Sequence, residues 1–410
     1  MRYSTASLAS VWLVTHAFAA PIDPCAPPAG IDVPMLRDPI FGYLGNVTLG
    51  TPAQQLTMFY DWTWTSPYFL SATCSNNTAE PDECFAASQQ LFHQDNSNSF
   101  VNMTSEYPDQ VWYPNEFLPA PFEVAYGTDA MTMGSGSSAV TIQLSDIQMG
   151  LLVQMPLQFG GIMGLMPTFP DTKASQQSAF YQQWQSGMFE SPFSAFVTCR
   201  NGQVKNCPAG ADAIQTFGGY SAELASKGLT WYPLTSVPTV NQIAFPLYPE
   251  IFSYWAIELE SFSIGTEQQA VNTTAEQQLQ AKPAAIFDHA SKGRGLPLSS
   301  DAYARLVEIT GAVPATDLAM PPNNAMQPFF TVNCSTISKL PTVSYVFTGS
   351  AKEWLVKPEA YVANMGGTCV LDVRVLGSGS WELGNFGDNF LQDKYIVFDY
   401  EKNMVGLAEL

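Results

Sequence analysis

The chain carries little charge, and most of that charge is of one sign. Charged residues make up 13% of the 410 residues, with 36 acidic against 16 basic side chains and a formal net charge of −20. Like charges repel at neutral pH, so this balance argues against nucleic acid or an anionic membrane surface as a partner. The 13% of aromatic residues, together with the low charge, indicates a folded, core-rich protein rather than a disordered one.

Long apolar runs are equally scarce. Beyond the N-terminal region, no stretch approaches the ~20 apolar residues that span a bilayer. Residues 1–20 contain Arg2, the apolar stretch Leu8–Val14 and the small-residue pattern Ala17–Ala19, which together predict a secretory signal peptide. The C-terminus lacks the apolar tail of a lipid-anchor signal. We therefore expect a soluble protein that is secreted to the extracellular space, and we expect it to be monomeric.

Several catalytic motifs are absent. The sequence has no Gly-x-Ser-x-Gly elbow, no phosphate loop, no His-Glu-x-x-His and no double Cys-x-x-Cys spacing for zinc. Gly134–Ala139 fits a loose dinucleotide-binding pattern, but strand-like alternation follows it instead of a helix, so we discard that interpretation. Only three histidines exist, and an isolated histidine is more often structural than catalytic.

Two aspartates each close a short apolar strand and are followed at once by a turn. The strands are Leu56–Asp61 and Ala284–Asp288. Each is followed about a hundred residues later by a strand that breaks at a glycine, Gly161–Gly164 and Trp381–Gly384, with offsets of 164 − 61 = 103 and 384 − 288 = 96. The repeat indicates a diverged internal duplication. Two carboxylates presented in the same way, one in each half, suggest one shared site.

The rest of the pattern favours an all-β fold. Short alternating strands, such as Ala139–Leu144, are separated by Gly, Pro and Asn turns. Short helices are predicted at Ser178–Trp184 and Ser300–Val307. A chain of 410 residues is long enough for two lobes. We expect a signal peptide at residues 1–20, a Pro-rich segment at 21–40, an N-terminal lobe at 41–195 and a C-terminal lobe at 196–410.

These landmarks, taken in order, resemble the pepsin family of aspartic peptidases. Phe41–Pro52 is similar to the family's opening strand pair, and Tyr126-Gly127-Thr128 resembles the tip of its flap. Five segments resemble landmarks of its second lobe: Phe217–Gly219, Trp231–Pro233, Tyr254–Ile257, Tyr395–Asp399 and Val405–Ala408. The resemblance implies an all-β, bilobal fold with a cleft between two related lobes.

The resemblance also implies a mechanism. Asp61 and Asp288 would face each other across the cleft, hold one water and share one proton. The ionised carboxylate would act as general base while the protonated one polarises the scissile carbonyl of a peptide or protein substrate at acidic pH. No metal or other cofactor is needed. Five residues are predicted to contact the substrate: Tyr126, Gly127 and Thr128 from the flap, and Trp62 and His289 beside the aspartates. Tyr68 would support the flap.

The sequence departs from the family beside both aspartates. The family has Asp-Thr-Gly followed by Ser or Thr, whereas this chain has Asp61-Trp-Thr-Trp64 and Asp288-His-Ala-Ser291. Trp62 and His289 cannot supply the threonine hydroxyl that locks the two loops together in the family. Thr63 and Ala290 add a Cβ where a glycine is expected.

Charge beside the pair is a second departure. We expect His289 to be cationic at acidic pH, with Lys292 nearby, and such cations would oppose a shared proton. In addition, only Pro21–Ile40 separates the predicted signal peptide from the first strand, a stretch shorter and less basic than the pro-segment of most pepsin-like enzymes.

Three functions from different classes therefore stay open. The first is an active aspartic endopeptidase, and the second is a pseudoprotease that binds a peptide or protein without cutting it. The third is a cleft repurposed for acid–base chemistry on a small molecule by Asp61, Asp288 and His289.

Cysteines and sequons agree with an oxidising secretory route. Six cysteines fall into local pairs: Cys74 with Cys84, Cys199 with Cys207, and Cys334 with Cys369. The first and third pairs match disulfide positions of the pepsin family, and the middle pair would close a hairpin. Cys25 is left over. Glycosylation is predicted at five sequons: Asn46, Asn76, Asn102, Asn272 and Asn333.

Overall fold

The structure is a computed structural model, and it describes most of the chain. The described residues are 28, 30–38, 42–72, 90–106, 111–112, 122–134, 136–145, 159–170, 172–199, 202, 204–205, 207–235, 254–271, 284–289, 296, 298–315, 330–373 and 385–410. Both aspartates of the predicted dyad lie among them. Several positions singled out in the sequence lie outside them: Cys25, Cys74, Asn76, Cys84, Asn272, Ala290, Lys292 and the segment Trp381–Gly384.

Strands dominate the described residues. Their bounds are Ile31–Asp38 (β1), Gly42–Leu49 (β2), Gln54–Asp61 (β3), Tyr68–Leu70 (β4), Val101–Asn102 (β5), Val111–Trp112 (β6), Phe122–Met133 (β7), Gly136–Ser145 (β8), Gly161–Gly164 (β9), Phe193–Thr198 (β10), Ala213–Phe217 (β11), Thr230–Pro233 (β12), Ala256–Ile264 (β13), Glu267–Gln269 (β14), Ala284–Phe287 (β15), Val313–Pro314 (β16), Phe330–Val332 (β17), Val343–Phe347 (β18), Glu353–Val356 (β19), Val362–Met365 (β20), Thr368–Leu371 (β21), Asn385–Phe386 (β22), Lys394–Asp399 (β23) and Met404–Glu409 (β24). The predicted all-β class is confirmed.

Helices in the described part are few and short. The α-helices are Ala179–Gln185, Ala222–Ala225, Ser300–Thr310, Pro358–Tyr361 and Asp388–Leu391, and the 3-10 turns are Gln94–Asn96, Thr104–Glu106, Ala174–Gln176 and Cys334–Lys339. Both predicted helices form, and a serine hydroxyl caps each of them. Ser178 accepts from the N–H of Tyr181, and Ser299 accepts from the N–H of Ala302, as expected for N-cap residues.

One large sheet joins the two ends of the chain. Among the described residues it has fourteen strands, in the order β12-β24-β23-β10-β11-β1-β2-β3-β9-β4-β8-β7-β5, with β6 on β7. A six-stranded sheet has the order β19-β18-β13-β15-β22, with β14 on β13, and a four-stranded sheet has the order β16-β17-β21-β20. Strand β23 is buried along its whole length, which indicates that both of its faces are covered.

Strand β1 lies in the segment that the sequence marked only as Pro-rich. It pairs with β11 through Ile31–Met35 and with β2 through Met35–Asp38, so it joins strands from distant parts of the chain. The proposed lobe boundary between residues 195 and 196 falls inside β10, which pairs with β11 on one side and β23 on the other. The division into lobes at that residue stays a proposal.

Two predicted disulfides are present. Cys199 is bonded to Cys207 in the connection between the antiparallel strands β10 and β11, which confirms the predicted hairpin. Cys334 is bonded to Cys369, which ties the 3-10 turn Cys334–Lys339 to β21. The predicted Cys74–Cys84 pair lies outside the described residues. Among those residues, no helix is long and apolar enough to cross a bilayer.

Candidate active site

Asp61 ends β3 at the point where that strand meets β9. The two strands are parallel, and Asp61 lies opposite Gly164. Leu165 follows Gly164 in the chain, and its N–H donates to the carbonyl oxygen of Asp61 at 2.8 Å. A Cβ on Gly164 would lie 2.3 Å from the carbonyl oxygen of Thr65, so only glycine lets β9 pass the loop that follows the aspartate. The predicted strand Gly161–Gly164 is confirmed.

The Asp61 carboxylate is held by the residue two positions later. Its Oδ1 accepts from both the N–H and the hydroxyl of Thr63, each at 2.7 Å. Thr63 stands at the position where a glycine was expected, and the structure accommodates its side chain as a hydrogen-bond donor. Burial raises the pKa of the Asp61 carboxyl above its usual value, and the hydrogen bonds from Thr63 oppose part of that rise.

Asp288 occupies the matching position in the second half. It follows β15, whose parallel partner is β22, with Ile286 opposite Asn385 and Phe287 opposite Phe386. The N–H of Asp288 donates to the carbonyl oxygen of Phe386 at 3.2 Å. Asp61 and Asp288 are both buried, with 7% and 4% of their surface exposed.

The glycine assigned to the second half of the duplication was wrong. The strand that pairs with β15 is Asn385–Phe386, so the glycine that follows it is Gly387 and not Gly384. The offset becomes 387 − 288 = 99, closer to the 103 of the first half. The two glycines lie only three positions apart, so spacing alone could not choose between them.

The residues that follow the two aspartates contact each other. The Trp62 indole and the His289 imidazole meet edge to face, with ring centroids 4.2 Å apart. Phe196 of β10 packs against both rings, at 5.1 Å from Trp62 and at 5.2 Å from His289. Phe398 of β23 lies 4.8 Å from Trp62. The loops that bear the two aspartates are thus joined by an aromatic contact over the central sheet.

Trp62 and His289 do not form part of a substrate-accessible surface. Their exposed fractions are 0% and 1%, which is too little for direct contact with a peptide. This burial contradicts the prediction that Trp62 and His289 contact the substrate. Trp62 is fixed further by its Nε1, which donates to the Oε1 of Gln215 at 3.3 Å.

The expectation of a cationic His289 was also wrong. Burial lowers the pKa of His289 to about 3, because an imidazolium among aromatic rings loses its hydration, and the carboxylate of Asp388 offsets only part of this. The ring is therefore neutral through most of the acidic range. Neither of its nitrogens has a hydrogen-bond partner among the described residues, so His289 acts there as an aromatic ring.

A third buried carboxylate, Asp388, lies close enough to act on the charge of His289. Asp388 accepts from the hydroxyl of Tyr43 at 2.5 Å and forms an ion pair with Arg37 at 2.7 Å. The Tyr43 ring packs 5.3 Å from the His289 ring. Arg37 lies on β1 and Asp388 opens the helix Asp388–Leu391, so this contact ties the N-terminal strand to the second half. The sequence analysis missed it because ion pairs between distant positions leave no local pattern.

Trp255 links the two aspartate strands by hydrogen bonds. Its Nε1 donates to the carbonyl oxygen of Leu165 at 2.7 Å, and Leu165 in turn binds the backbone of Asp61. The carbonyl oxygen of Trp255 accepts from the N–H of Phe287 at 2.7 Å, one residue before Asp288. Tyr400 adds a second bond to the Leu165 carbonyl at 2.7 Å. Trp255 therefore connects the backbone beside Asp61 with that of Phe287, the residue before Asp288.

The predicted flap differs from its expected geometry. Tyr126, Gly127 and Thr128 lie in the middle of β7, opposite residues 143, 142 and 141 of β8, and the hairpin turns only after Met133. Tyr126 is buried, with 1% exposed. A Cβ on Gly127 would lie 2.2 Å from Cε2 of Phe100, so this glycine permits close packing rather than a turn. The structure contradicts the assignment of these residues to a flap tip.

The aromatic side chains behind the first loop pack on one another. Trp64 and Tyr68 are both buried, and their ring centroids lie 5.9 Å apart. Tyr68 lies on β4, opposite Gln143 of β8 and Ile162 of β9. Tyr68 was predicted to support a flap, but in the structure it packs against Trp64 of the loop that follows Asp61.

Among the described residues, no group of three or more His, Cys, Asp or Glu side chains is arranged to hold a metal ion.

Comparison with known proteins agrees with this geometry. The profile of the eukaryotic aspartyl protease family matches residues 42–410, a span that includes both aspartates. The chain is 39% identical to the "Aspartic protease-like protein pytH" of Aspergillus terreus over 98% of both chains. It is 39% identical to the "Aspartic protease-like protein pynH" of Aspergillus niger over 90% of both, and 38% identical to a "Probable secreted aspartic protease" of Arthroderma benhamiae over 88% of both. The chain belongs to the eukaryotic aspartyl protease family and has its bilobal, all-β fold.

Proposed function

We propose that the protein is a secreted aspartic endopeptidase that cleaves peptide bonds with a water held between Asp61 and Asp288. The observation that carries the proposal is the equivalence of the two strand ends. Each aspartate closes an apolar strand that pairs in parallel with a second strand leading to a glycine. The residues that follow the two aspartates are in contact, which brings the two loops together.

The proposed proton sharing is supported by burial. Burial raises the pKa of the Asp61 carboxyl, so a proton can be kept in the pair at acidic pH. The ionised carboxylate of the pair would act as general base on the water, while the protonated one polarises the scissile carbonyl. Because one proton must be shared, activity is expected at acidic pH and is lost as the pair becomes doubly ionised.

The neutral state of His289 removes one objection to activity. A cation beside the pair would favour the doubly ionised state, but the His289 ring is uncharged above about pH 3. The same observation weakens the small-molecule hypothesis. With 1% of its surface exposed, the imidazole cannot exchange a proton with a substrate by direct contact.

A second candidate is a binder that holds peptides without cutting them. The placement of Tyr126 supports it, because a tyrosine buried in mid-strand is not positioned to close over a substrate. In this hypothesis the two aspartates hold a peptide, but the water is not activated. The substrate or ligand class is the same for both candidates, so the two are separated by turnover alone.

The test is cleavage of a diverse peptide mixture at pH values from about 2.5 to 7, read by mass spectrometry. The Asp288→Asn variant serves as the control, because it keeps the shape of the side chain and removes its charge. Cuts made by the unaltered protein and absent from the variant support the endopeptidase. If folded protein makes no cuts at any pH, the endopeptidase is rejected in favour of the binder.

Secretion and modification belong to the same proposal. Several relatives carry the word "secreted" in their names, in line with the signal peptide predicted at residues 1–20. Asn46, Asn102 and Asn333 are exposed, as glycan attachment requires. Asn333 also caps the 3-10 turn Cys334–Lys339 by accepting from the N–H of Ser335. Glycan attachment at Nδ2 leaves this Oδ1 acceptor in place, and Oδ1 of Asn102 accepts from the N–H of Thr104 in the same way, so we propose all three as glycan sites.

A further inference from the structure

The contact between Trp62 and His289 joins the loop that follows Asp61 to the loop that follows Asp288, and we call this contact the lock. Each ring follows directly on an aspartate, and the two meet at 4.2 Å. Both rings are buried, so their neighbours fix them from every side. Phe196 stacks on the His289 ring with an interplanar angle of 24°, and the Trp62 edge meets Phe196 at 85°. These are the offset and edge-on arrangements that aromatic pairs prefer.

We propose that the Trp62–His289 contact aligns the Asp61 and Asp288 loops for catalysis and that this alignment requires an uncharged ring at position 289. The inference rests on the proposed endopeptidase function and names the residues that position its aspartates. His289 and Trp62 are positioning residues, because neither reaches the surface that a substrate would touch.

The surroundings of His289 explain why the ring must be uncharged. Trp62 and Phe196 present aromatic rings to it, and Tyr43 of β2 adds a third. Among the described residues, the acidic groups around it are Asp388, which acts on its pKa, Asp288, which precedes it in the chain, and Asp61, which precedes Trp62. The Asp388 charge is already matched by Arg37 and by the Tyr43 hydroxyl. A proton on the imidazole would therefore gain little compensation for its lost hydration.

The consequence for stability has a definite sign. The folded-state pKa of His289 lies at about 3, below its ordinary value of 6.5. Between these two pH values the His289 imidazole binds a proton in the unfolded chain but stays neutral in the folded chain. This residue therefore makes the folded state less stable as pH falls from 6.5 towards 3. The lock would therefore weaken at the acidic end of the range in which the aspartates share their proton.

The first experiment compares His289→Phe with His289→Ala in peptide hydrolysis across the acidic range. Phenylalanine keeps an uncharged ring, so this variant should retain kcat and extend activity to lower pH than the unaltered protein. Alanine removes the ring, so kcat should fall by at least about 10-fold with KM nearly unchanged, since misplaced groups reduce the chemical step. His93→Phe is the matched control, because His93 is exposed.

The outcomes that overturn the proposal are equally definite. It is wrong if His289→Ala keeps the full kcat, or if His289→Phe shows the same loss of activity at low pH as the unaltered protein. A purely structural role would lower the amount of folded protein without changing the pH profile of the folded fraction, so the profile separates the two roles.

A second measurement applies even if the protein cleaves nothing. Urea unfolding midpoints of Trp62→Leu, His289→Leu and the double variant form a double-mutant cycle. We expect the double variant to lose less than the sum of the single losses, and His289→Phe to flatten the fall of the midpoint between pH 6.5 and 3. Additive losses, or an unchanged pH dependence in His289→Phe, would reject the lock independently of any activity.

Discussion

At the scale of single residues, burial decides the chemistry of this site. Asp61 and His289 are both withdrawn from water, and burial favours the neutral form of each, raising one pKa and lowering the other. The sequence identified both residues but misjudged the charge of His289, because its charge depends on neighbours from β2 and β10 that are distant along the chain. The chemical type of a residue is visible in the sequence, whereas its hydration is not.

Replacement of Asp61 by asparagine should abolish activity and increase the stability of the folded state at neutral pH. The raised folded-state pKa means that Asp61 supports the fold below its ordinary pKa of 3.8 and loses this contribution as pH rises through the folded value. The asparagine side chain cannot ionise, and its oxygen can still accept from Thr63. We expect Asp61→Asn to abolish cleavage and to raise the urea midpoint at pH 7, with a smaller gain at pH 3. An unchanged midpoint at pH 7 would show that the buried charge costs nothing.

Thr63 should affect the pH at which activity is lost on the neutral side of the pH profile. Its N–H and hydroxyl both stabilise ionised Asp61, so Thr63→Val removes one of two donors and should raise the pKa of Asp61 further. The loss of activity on the neutral side should then move to higher pH. Thr63→Ser keeps the hydroxyl and is the control, with an expected profile close to that of the unaltered protein. The measurement is kcat/KM against pH, and a shift towards lower pH in Thr63→Val would contradict the role.

At the scale of strands and loops, patterns along the sequence predicted the positions of strands and helices better than the functional roles of the residues in them. Strand β9 and both serine-capped helices form where their local signals indicated. The Tyr126-Gly-Thr sequence also carries a turn signal, yet the glycine serves a close approach of Phe100. A glycine in a strand has either meaning, and only the partner strand decides between them.

The Trp255 bridge should contribute to catalysis as well as to stability. Trp255→Phe removes the donor to the Leu165 carbonyl and should cost about 1–2 kcal/mol, the usual effect of a lost buried hydrogen bond. Because that bond supports the Asp61 loop, kcat should fall as well. Trp354→Phe is the matched control: Trp354 is equally buried, and its Nε1 donates to the Tyr232 hydroxyl at 2.9 Å.

The two tryptophan variants should differ in activity and not in stability. Urea unfolding measures the stability of each variant, and kcat of the folded protein measures its activity. Equal losses of kcat in Trp255→Phe and Trp354→Phe would show that the Leu165 bond has no special connection to the site.

At the scale of the whole molecule, the same pairing of an aspartate strand with a parallel strand occurs once in each half of the chain. Each half supplies one aspartate, and strands from both ends of the chain meet in the large sheet beneath the aromatic contact. The sequence predicted this plan because the two aspartates recur with similar spacing. It could not predict the Arg37–Asp388 pair or the Trp255 bridge, since these depend on which residues the fold brings together.

The net charge of −20 should make stability depend on salt at neutral pH. Self-repulsion among excess carboxylates disfavours the compact state, and added salt screens it. We expect sodium chloride to raise the melting temperature at pH 7 and to have little effect near the pI of about 4.3. Calorimetry at both pH values tests this. A melting temperature that is equally insensitive to salt at both would show that the charges are too dispersed to matter.

We propose that Asp61 and Asp288 form one site that holds one water. A peptide with a hydroxyethylene group in place of the scissile bond puts a hydroxyl where that water would lie, so its affinity tests the pair without requiring turnover. Titration calorimetry at acidic pH should show binding that weakens by at least about 100-fold in both Asp61→Asn and Asp288→Asn. If either variant binds this peptide as tightly as the unaltered protein, the two aspartates do not act on the same ligand atom and do not form one site.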